Sequence, residues 1–291
     1  MAYTVRTLGL FTALTLLFVA IGWLLGTLFL GDWVVGASIF LILALAMNLI
    51  SYFFSKQIVL RSYRAKIVSQ AEAPVLHRIV SEIAMQANMP MPEIAIVPTA
   101  TPNAFATGRN PKDAVVAVTQ GLLKILNEEE LKGVLAHEMA HIKNRDILVM
   151  SVAATIAGAI SFAARFVLYG SVFGGSRDNP AAIAVAVLAA ITAPIAAMLV
   201  QLGISRSREY KADATGAQTI ENPRALANAL KKLEAANSQR PIDIGNPASA
   251  HMFIVNPFRG GGIAALFSTH PPMEMRIKKL EEMEGRMGYY Y

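Results

Sequence analysis

The chain has 291 residues, with 26 Lys and Arg against 20 Asp and Glu, 54% hydrophobic residues and a mean hydropathy of +0.45. Only 16% of its residues are charged, well below the roughly 25% of soluble domains, so it needs either an outsized core or contact with lipid, and the same balance excludes disorder. There is no cysteine, which excludes disulfides and thiolate-held metals and leaves His, Asp and Glu as the only ligands for a metal ion.

Residues 7–31 form 25 consecutive positions without a charge, and residues 33–55 form 23 more. Each is long enough to cross a hydrocarbon core of about 30 Å as a helix. The first run exceeds the ~7–15 apolar residues of a secretory signal, and a second follows at once, so a transmembrane hairpin is predicted.

The central segment, 56–146, opens with Lys56, Arg61, Arg64 and Lys66 interleaved with Ile58, Val59, Leu60 and Tyr63, a pattern that reads as a surface anchor. Val75, Ile79, Ile83 and Ala87 predict a helix over 73–87, on which His77 reads as structural or solvent-facing. Residues 93–97 and 114–118 read as strands of a small sheet, separated by a Gly- and Pro-rich stretch at 98–111. Asn127 with Glu130 three residues on has the form of a capping box. The helix that it starts carries His137-Glu138-Met139-Ala140-His141.

Two further uncharged runs predict a second hairpin, 147–173 and 179–205, in which Arg165 is placed to snorkel towards the interface. The last segment, 206–291, continues the fourth span to about Ala217. It then gives an amphipathic helix over 223–236, a loop-rich stretch with Pro241, Pro247 and Pro257, and a charged helix over 272–287. The glycine run 260–262 lacks the strand, helix start and Lys-Ser/Thr pair of a phosphate loop.

Eleven Lys and Arg lie in 56–146 and 12 in 206–291, whereas the two hairpin tips carry only Arg177. The positive-inside rule therefore puts the N-terminus, the central segment and the C-terminal segment in the cytoplasm. The basic excess is accounted for by insertion and lipid headgroups, and no nucleic-acid partner is expected.

The chemistry centres on His137, Glu138 and His141. Two His four apart on a helix share one face, so both imidazoles can reach one Zn²⁺ while the Glu between them addresses a water at the metal. A catalytic zinc needs a third protein ligand, and His251, His270 and the C-terminal carboxylates are the candidates. Glu209 is favoured because His141 and Glu209 flank the ends of one hairpin, each within roughly 10 Å of the membrane segments along a helix axis. An interfacial ion pair of Glu209 with Arg206 or Arg208 is the competing reading. Asp213, one turn beyond, is placed either to accept the second ring N–H of a ligand His or to face solvent.

These residues, together with Ser207-Arg208-Glu209-Tyr210-Lys211-Ala212-Asp213, Pro102-Asn103-Ala104-Phe105-Ala106 and Ser268-Thr269-His270-Pro271-Pro272, resemble the HtpX family of bacterial inner-membrane zinc metalloproteases, relatives of the CAAX prenyl proteases. The resemblance covers nearly the whole chain. It implies an α-helical integral membrane protein of four transmembrane helices with a cytoplasmic α+β, zincin-like protease domain. It implies one Zn²⁺ per chain held by His137, His141 and Glu209, with Glu138 as catalytic base and Asp213 orienting a ligand His. It further implies a strand edge at Asn103 and Ala104 that pairs with substrate backbone, and His270 near the oxyanion. The expected reaction is zinc-assisted peptide hydrolysis in which Glu138 takes a proton from the attacking water and returns it to the leaving amine. The expected partners are membrane lipid and damaged or unfolded membrane-protein substrates. A narrow processing peptidase of the CAAX type and a membrane adaptor with structural zinc are the alternatives.

Overall fold

In the computed structural model the chain is described over residues 2–153, 155–156, 206–237, 252–255 and 271–287. It divides into two compact units, 1–55 and 56–291. The predicted spans 147–173 and 179–205 lie outside the described residues apart from helical positions at 147–153 and 155–156, and so do Arg165, His251, His270 and the glycine run.

The first unit is the predicted hairpin. Helix α1 (Ala2–Leu25) passes through a π-helical turn, Gly26–Leu30, and Asp32 then starts helix α2 (Trp33–Ser62) by accepting the Val34 N–H at 2.8 Å. The two helices touch through glycines: a Cβ on Gly36 would meet the Gly22 carbonyl oxygen and the Gly26 backbone. Further along, Asn48 donates to Thr15 Oγ1 at 3.0 Å and to the Phe11 carbonyl at 3.3 Å, a polar clasp inside an apolar pair. Ile39, Ile42, Leu45, Leu49 and Phe53 of α2 are all exposed, and its most apolar stretch has a mean hydropathy of 2.3. Helix α2 is thus long and apolar enough to cross a membrane, and it continues past the predicted end at Ser55.

The second unit is built on a four-stranded sheet of order β1-β2-β4-β3: β1 (Lys66–Ile67), β2 (Glu93–Val97), β3 (Ala104–Gly108) and β4 (Ala114–Thr119). Strands β2 and β4 run parallel, while β1 and β3 are antiparallel to their neighbours. The Gly- and Pro-rich stretch 98–111 therefore contains a strand, beginning where the resemblance implied a strand edge. Its residues Ala-Phe-Ala-Thr-Gly carry little strand propensity of their own, and burial on both faces makes them one: all five positions are buried.

On one face Ile94, Ala104, Ala106, Val116 and Val118 join a large core with helices α3 (Pro74–Gln86) and α5 (Glu128–Lys143). On the other, Ala95, Val97, Phe105, Val115 and Ala117 pack with Val59, Leu60, Tyr63, Met252 and Phe253. A short helix α4 (Gln120–Ile125), capped by Thr119 Oγ1, links the sheet to α5. Helices α6 (Arg206–Thr219), α7 (Pro223–Asn237) and α8 (Met273–Met287) complete the unit.

One surface reading changes and another narrows. Lys56, taken as part of a lipid anchor, is instead held by carboxylates of the sheet, with Glu93 at 2.7 Å and Asp113 at 2.8 Å, and its side chain is only 13% exposed. His77 turns its Nε2 to the Val68 carbonyl at 3.0 Å, a structural role.

Candidate metal centre

Helix α5 is fixed at both ends. Asn127 Oδ1 accepts the Glu130 N–H at 2.9 Å and Glu130 Oε2 accepts the Asn127 N–H at 3.0 Å, completing the capping box. At the other end the chain turns through Arg145, at a left-handed φ of 58°, and the Asp146 N–H bonds to the His141 carbonyl at 2.9 Å. That turn returns Asp146 towards the histidine. His141 Nδ1 stands 3.5 Å from Asp146 Oδ2, an ion-pair distance without an aligned hydrogen bond.

His137, Glu138 and His141 are all buried. The two imidazoles lie 4.8 Å apart between ring centres and at right angles. Helix α6 packs across them with Glu209, Asp213 and Gly216 on one face, at the i, i+4, i+7 spacing that a helix requires. Gly216 makes the approach possible: a Cβ there would lie 2.8 Å from both the Ala136 carbonyl carbon and the His137 nitrogen. With the helices this close, Glu209 Oε1 lies 3.4 Å from His141 Nε2 and Oε2 lies 3.8 Å from His137 Nε2. One donor atom from each of His137, His141 and Glu209 falls within 4.8 Å of the others.

Asp213 reaches His137 Nδ1 at 2.9 Å, the orienting contact that leaves Nε2 turned towards Glu209. Sequence reasoning missed the residue behind it. Arg276 of α8 is fully buried and grips Asp213 with two bonds, Nε to Oδ2 at 2.9 Å and Nη2 to Oδ1 at 2.7 Å. Its Nη1 donates to the Ile254 carbonyl at 2.9 Å and lies 3.8 Å from Glu209 Oε2. A signal existed: Met273, Ile277, Leu280 and Met283 form the apolar stripe of α8, and Arg276 falls inside it, where an unpaired charge is forbidden.

Strand β3 serves the same centre from its outer edge. The outward N–H of Ala106 faces the Glu138 carboxylate and favours its ionised form. Asn103 and Ala104 are buried and already engaged. Ala104 accepts the Ile254 N–H at 3.3 Å, and the Asn103 amide donates to the Val255 carbonyl at 2.6 Å and faces the Val255 N–H at 3.4 Å.

The electrostatics suit a cation. Burial, with Glu209 nearby, pushes the Glu138 carboxyl up to about 8. Burial opposes charge on His141 most strongly, yet Asp146, Glu209 and Glu138 together raise it to about 9. His137 is lowered by burial. Asp213 resists the same burial because Arg276 holds it down at about 2. Glu138 Oε2 is buried with no hydrogen-bond partner among the described residues. Arg276 balances Asp213, and without a metal the charge of Glu209 is met by a proton held on His141; a divalent ion between the two imidazoles and Glu209 would take the place of that proton.

Two histidines one turn apart, a carboxylate from a neighbouring helix and a buried glutamate beside the first histidine define a metallohydrolase whose metal helix packs on a sheet edge. Sequence comparison makes the class specific. The model of peptidase family M48 matches residues 70–284, and the chain belongs to that family and is a metalloprotease. It is 55% identical over 288 residues to a protease HtpX homolog of Thermococcus sibiricus, with 97% of each chain covered. It is 55% identical over 290 residues to the one of Pyrococcus furiosus (99% of this chain and 98% of that one) and 52% identical over 283 to the one of Syntrophobacter fumaroxidans (96% and 98%). The fold is similar to the crystal structure of S. mikatae Ste24p, with a TM-score of 0.51 at 17% identity; the match covers 96% of this chain and 65% of that one.

Proposed function

We propose that the chain is a multi-pass zinc endopeptidase of the cytoplasmic (inner) membrane, with its site and both termini on the cytoplasmic side, that cleaves damaged or misfolded membrane proteins in their cytoplasmic regions. The observation that carries the reading is the convergence of His137, His141 and Glu209 beside the buried, unsatisfied Glu138 Oε2. Two imidazoles and a carboxylate without a thiolate form a donor set used for catalytic zinc.

When bound, zinc supplies a Lewis acid that acidifies water and polarises a peptide carbonyl. Glu138, whose carboxyl is tuned upward by burial, takes the proton of the attacking water and delivers it to the leaving amine. The Ala106 N–H faces that carboxylate from β3, and Asp213 keeps the His137 tautomer that presents Nε2. An extended substrate lies along the outer edge of β3, bonded at Asn103 and Ala104 as an added strand, with His270 serving the oxyanion. Lipid contact through four helices is supported by α2, by the uncharged runs after Asp146, and by the concentration of Lys and Arg in 56–146 and 206–291.

Quantitative proteomics of membranes that hold wild-type or Glu138→Ala protein tests the role. Membrane proteins accumulate with the inactive chain on this reading, and identical proteomes overturn it. A reporter fused after Tyr291 that is active only outside the cytoplasm overturns the orientation.

A further inference from the structure

The bent segment Met252–Val255 covers the outer edge of β3 at Asn103 and Ala104. Ile254 bonds the Ala104 carbonyl through its N–H, and Val255 pairs with the Asn103 side-chain amide. Phe253 enters the cluster beneath the sheet and Ile254 the core on the α5 side. Phe253 sits in an aromatic cleft, 4.9 Å from the Tyr63 ring centre at 83° and 5.3 Å from that of Phe105 at 73°, both edge-to-face geometries that favour an aromatic guest.

Ala104 and Ala106 of this strand pack in one core with Leu135 and Met139 of α5, the helix that carries Glu138. A chain bonded at Ala104 therefore runs past the catalytic base. Its recognition is of two kinds: the Asn103 amide reads backbone and is indifferent to sequence, while the Tyr63–Phe105 cleft reads a side chain. The Ile254 carbonyl is in turn held by Arg276, the same guanidinium that grips Asp213 behind His137.

We propose that the cleft between Tyr63 and Phe105 is a substrate subsite for an aromatic side chain of an extended polypeptide, and that the chain's own Phe253 occupies it as an internal competitor. The proposal rests on the reading that substrates pair with the edge of β3. Cleavage then requires Met252–Val255 to leave the edge, and segments with an exposed aromatic residue, such as those of unfolded proteins, are the ones able to replace it.

The test uses the detergent-purified, zinc-loaded full chain with casein as substrate and two blocked tetrapeptides as probes, acetyl-Met-Phe-Ile-Val-amide and its analogue with Ala for Phe. The first is expected to inhibit competitively, raising KM without changing kcat, and the second to bind about tenfold or more weakly, since burying a Phe side chain is the difference between them. In the variant Phe253→Ala the first tetrapeptide is expected to bind about tenfold more tightly than in wild type, because the internal competitor is weakened. Equal inhibition by both peptides, no inhibition by either, or unchanged or weaker peptide binding by a folded Phe253→Ala chain would overturn the subsite. The peptide pair decides the question on wild-type protein whatever the variant's stability. Casein cleavage that Glu138→Gln abolishes establishes the protease separately, so inert peptides on a cleaving enzyme count against the subsite alone.

Discussion

Replacing Gly216 by Ala sets two effects of known sign against each other. In the interior of α6 the substitution gains up to about 1 kcal/mol of helix propensity. The added Cβ, however, lies 2.8 Å from the Ala136 carbonyl carbon and the His137 nitrogen and 2.9 Å from the Ala136 oxygen. Carbon contacts are relaxed only at about 3.5–4.0 Å, and all three neighbours are backbone, so no rotamer change relieves the overlap. Helices α5 and α6 must separate by roughly 0.5 Å or more, the tolerance within which a metal site holds its geometry. Overpacking of this kind costs about 1–3 kcal/mol, and the atom struck belongs to His137 itself. The expected outcome is a zinc affinity lowered by about tenfold or more and no gain in thermal stability, read by chelator competition and by the melting temperature of the metal-free protein. Gly285 on α8, where a Cβ meets nothing within 4 Å, is the control: Gly285→Ala gains the propensity term and leaves zinc affinity unchanged. If Gly216→Ala is stabilised as much as the control and binds zinc as wild type does, the account of how Glu209 and Asp213 reach His137 is wrong.

Two further outcomes can be measured on the same preparation. Below pH 6.5 the buried, neutral His137 offsets Glu138, so chelator-treated protein loses stability as pH rises from about 6.5 to 9: folded Glu138 keeps its proton up to about 8 whereas the unfolded carboxyl ionises near 4.5, and His141 contributes charge-stabilised structure below 6.5 that is lost as pH rises through about 9. Both make the folded chain the better proton holder, so a metal-free melting temperature that climbs over this range contradicts the burial argument. Arg276→Met strands the Asp213 carboxylate in the core and costs about 3–5 kcal/mol, whereas Arg276→Met combined with Asp213→Asn costs less than the sum of the two single changes; strictly additive unfolding energies would mean that the pair is not coupled.

What was legible in the sequence was what local chemistry dictates. The capping box of Asn127 and Glu130, the acidic first turn and the i, i+4 histidines specify α5 and its metal-facing side without reference to the rest of the chain. The four-residue steps from Glu209 to Asp213 gave the right spacing, but which partner they met depended on α6 packing on α5, and spacing left an ion pair with Arg206 or Arg208 open. The residues of β3 did not mark a strand, since such small side chains become one only when buried on both faces; the family resemblance alone put a strand edge at Asn103 and Ala104. Arg276 was hidden because its neighbours Glu274, Lys278 and Lys279 made the helix look solvated, and only its place in the apolar stripe marked it. Lys56 looked like a headgroup anchor because its partners, Glu93 and Asp113, come from two different strand ends. The role of Met252–Val255 had no local signal: four apolar residues acquire meaning only against the edge that they cover.

The central claim is that this site hydrolyses peptides at a metal held by His137, His141 and Glu209, with Glu138 moving the proton. Glu138→Gln keeps the size of the side chain and removes the base without touching a proposed ligand. The measurement is metal content by elemental analysis alongside the rate of casein cleavage, for wild type and variant in one preparation. The account predicts about one zinc per chain in both and a cleavage rate lowered by about 10²–10⁴-fold in the variant. Wild-type cleavage by a zinc-loaded Glu138→Gln chain would contradict it.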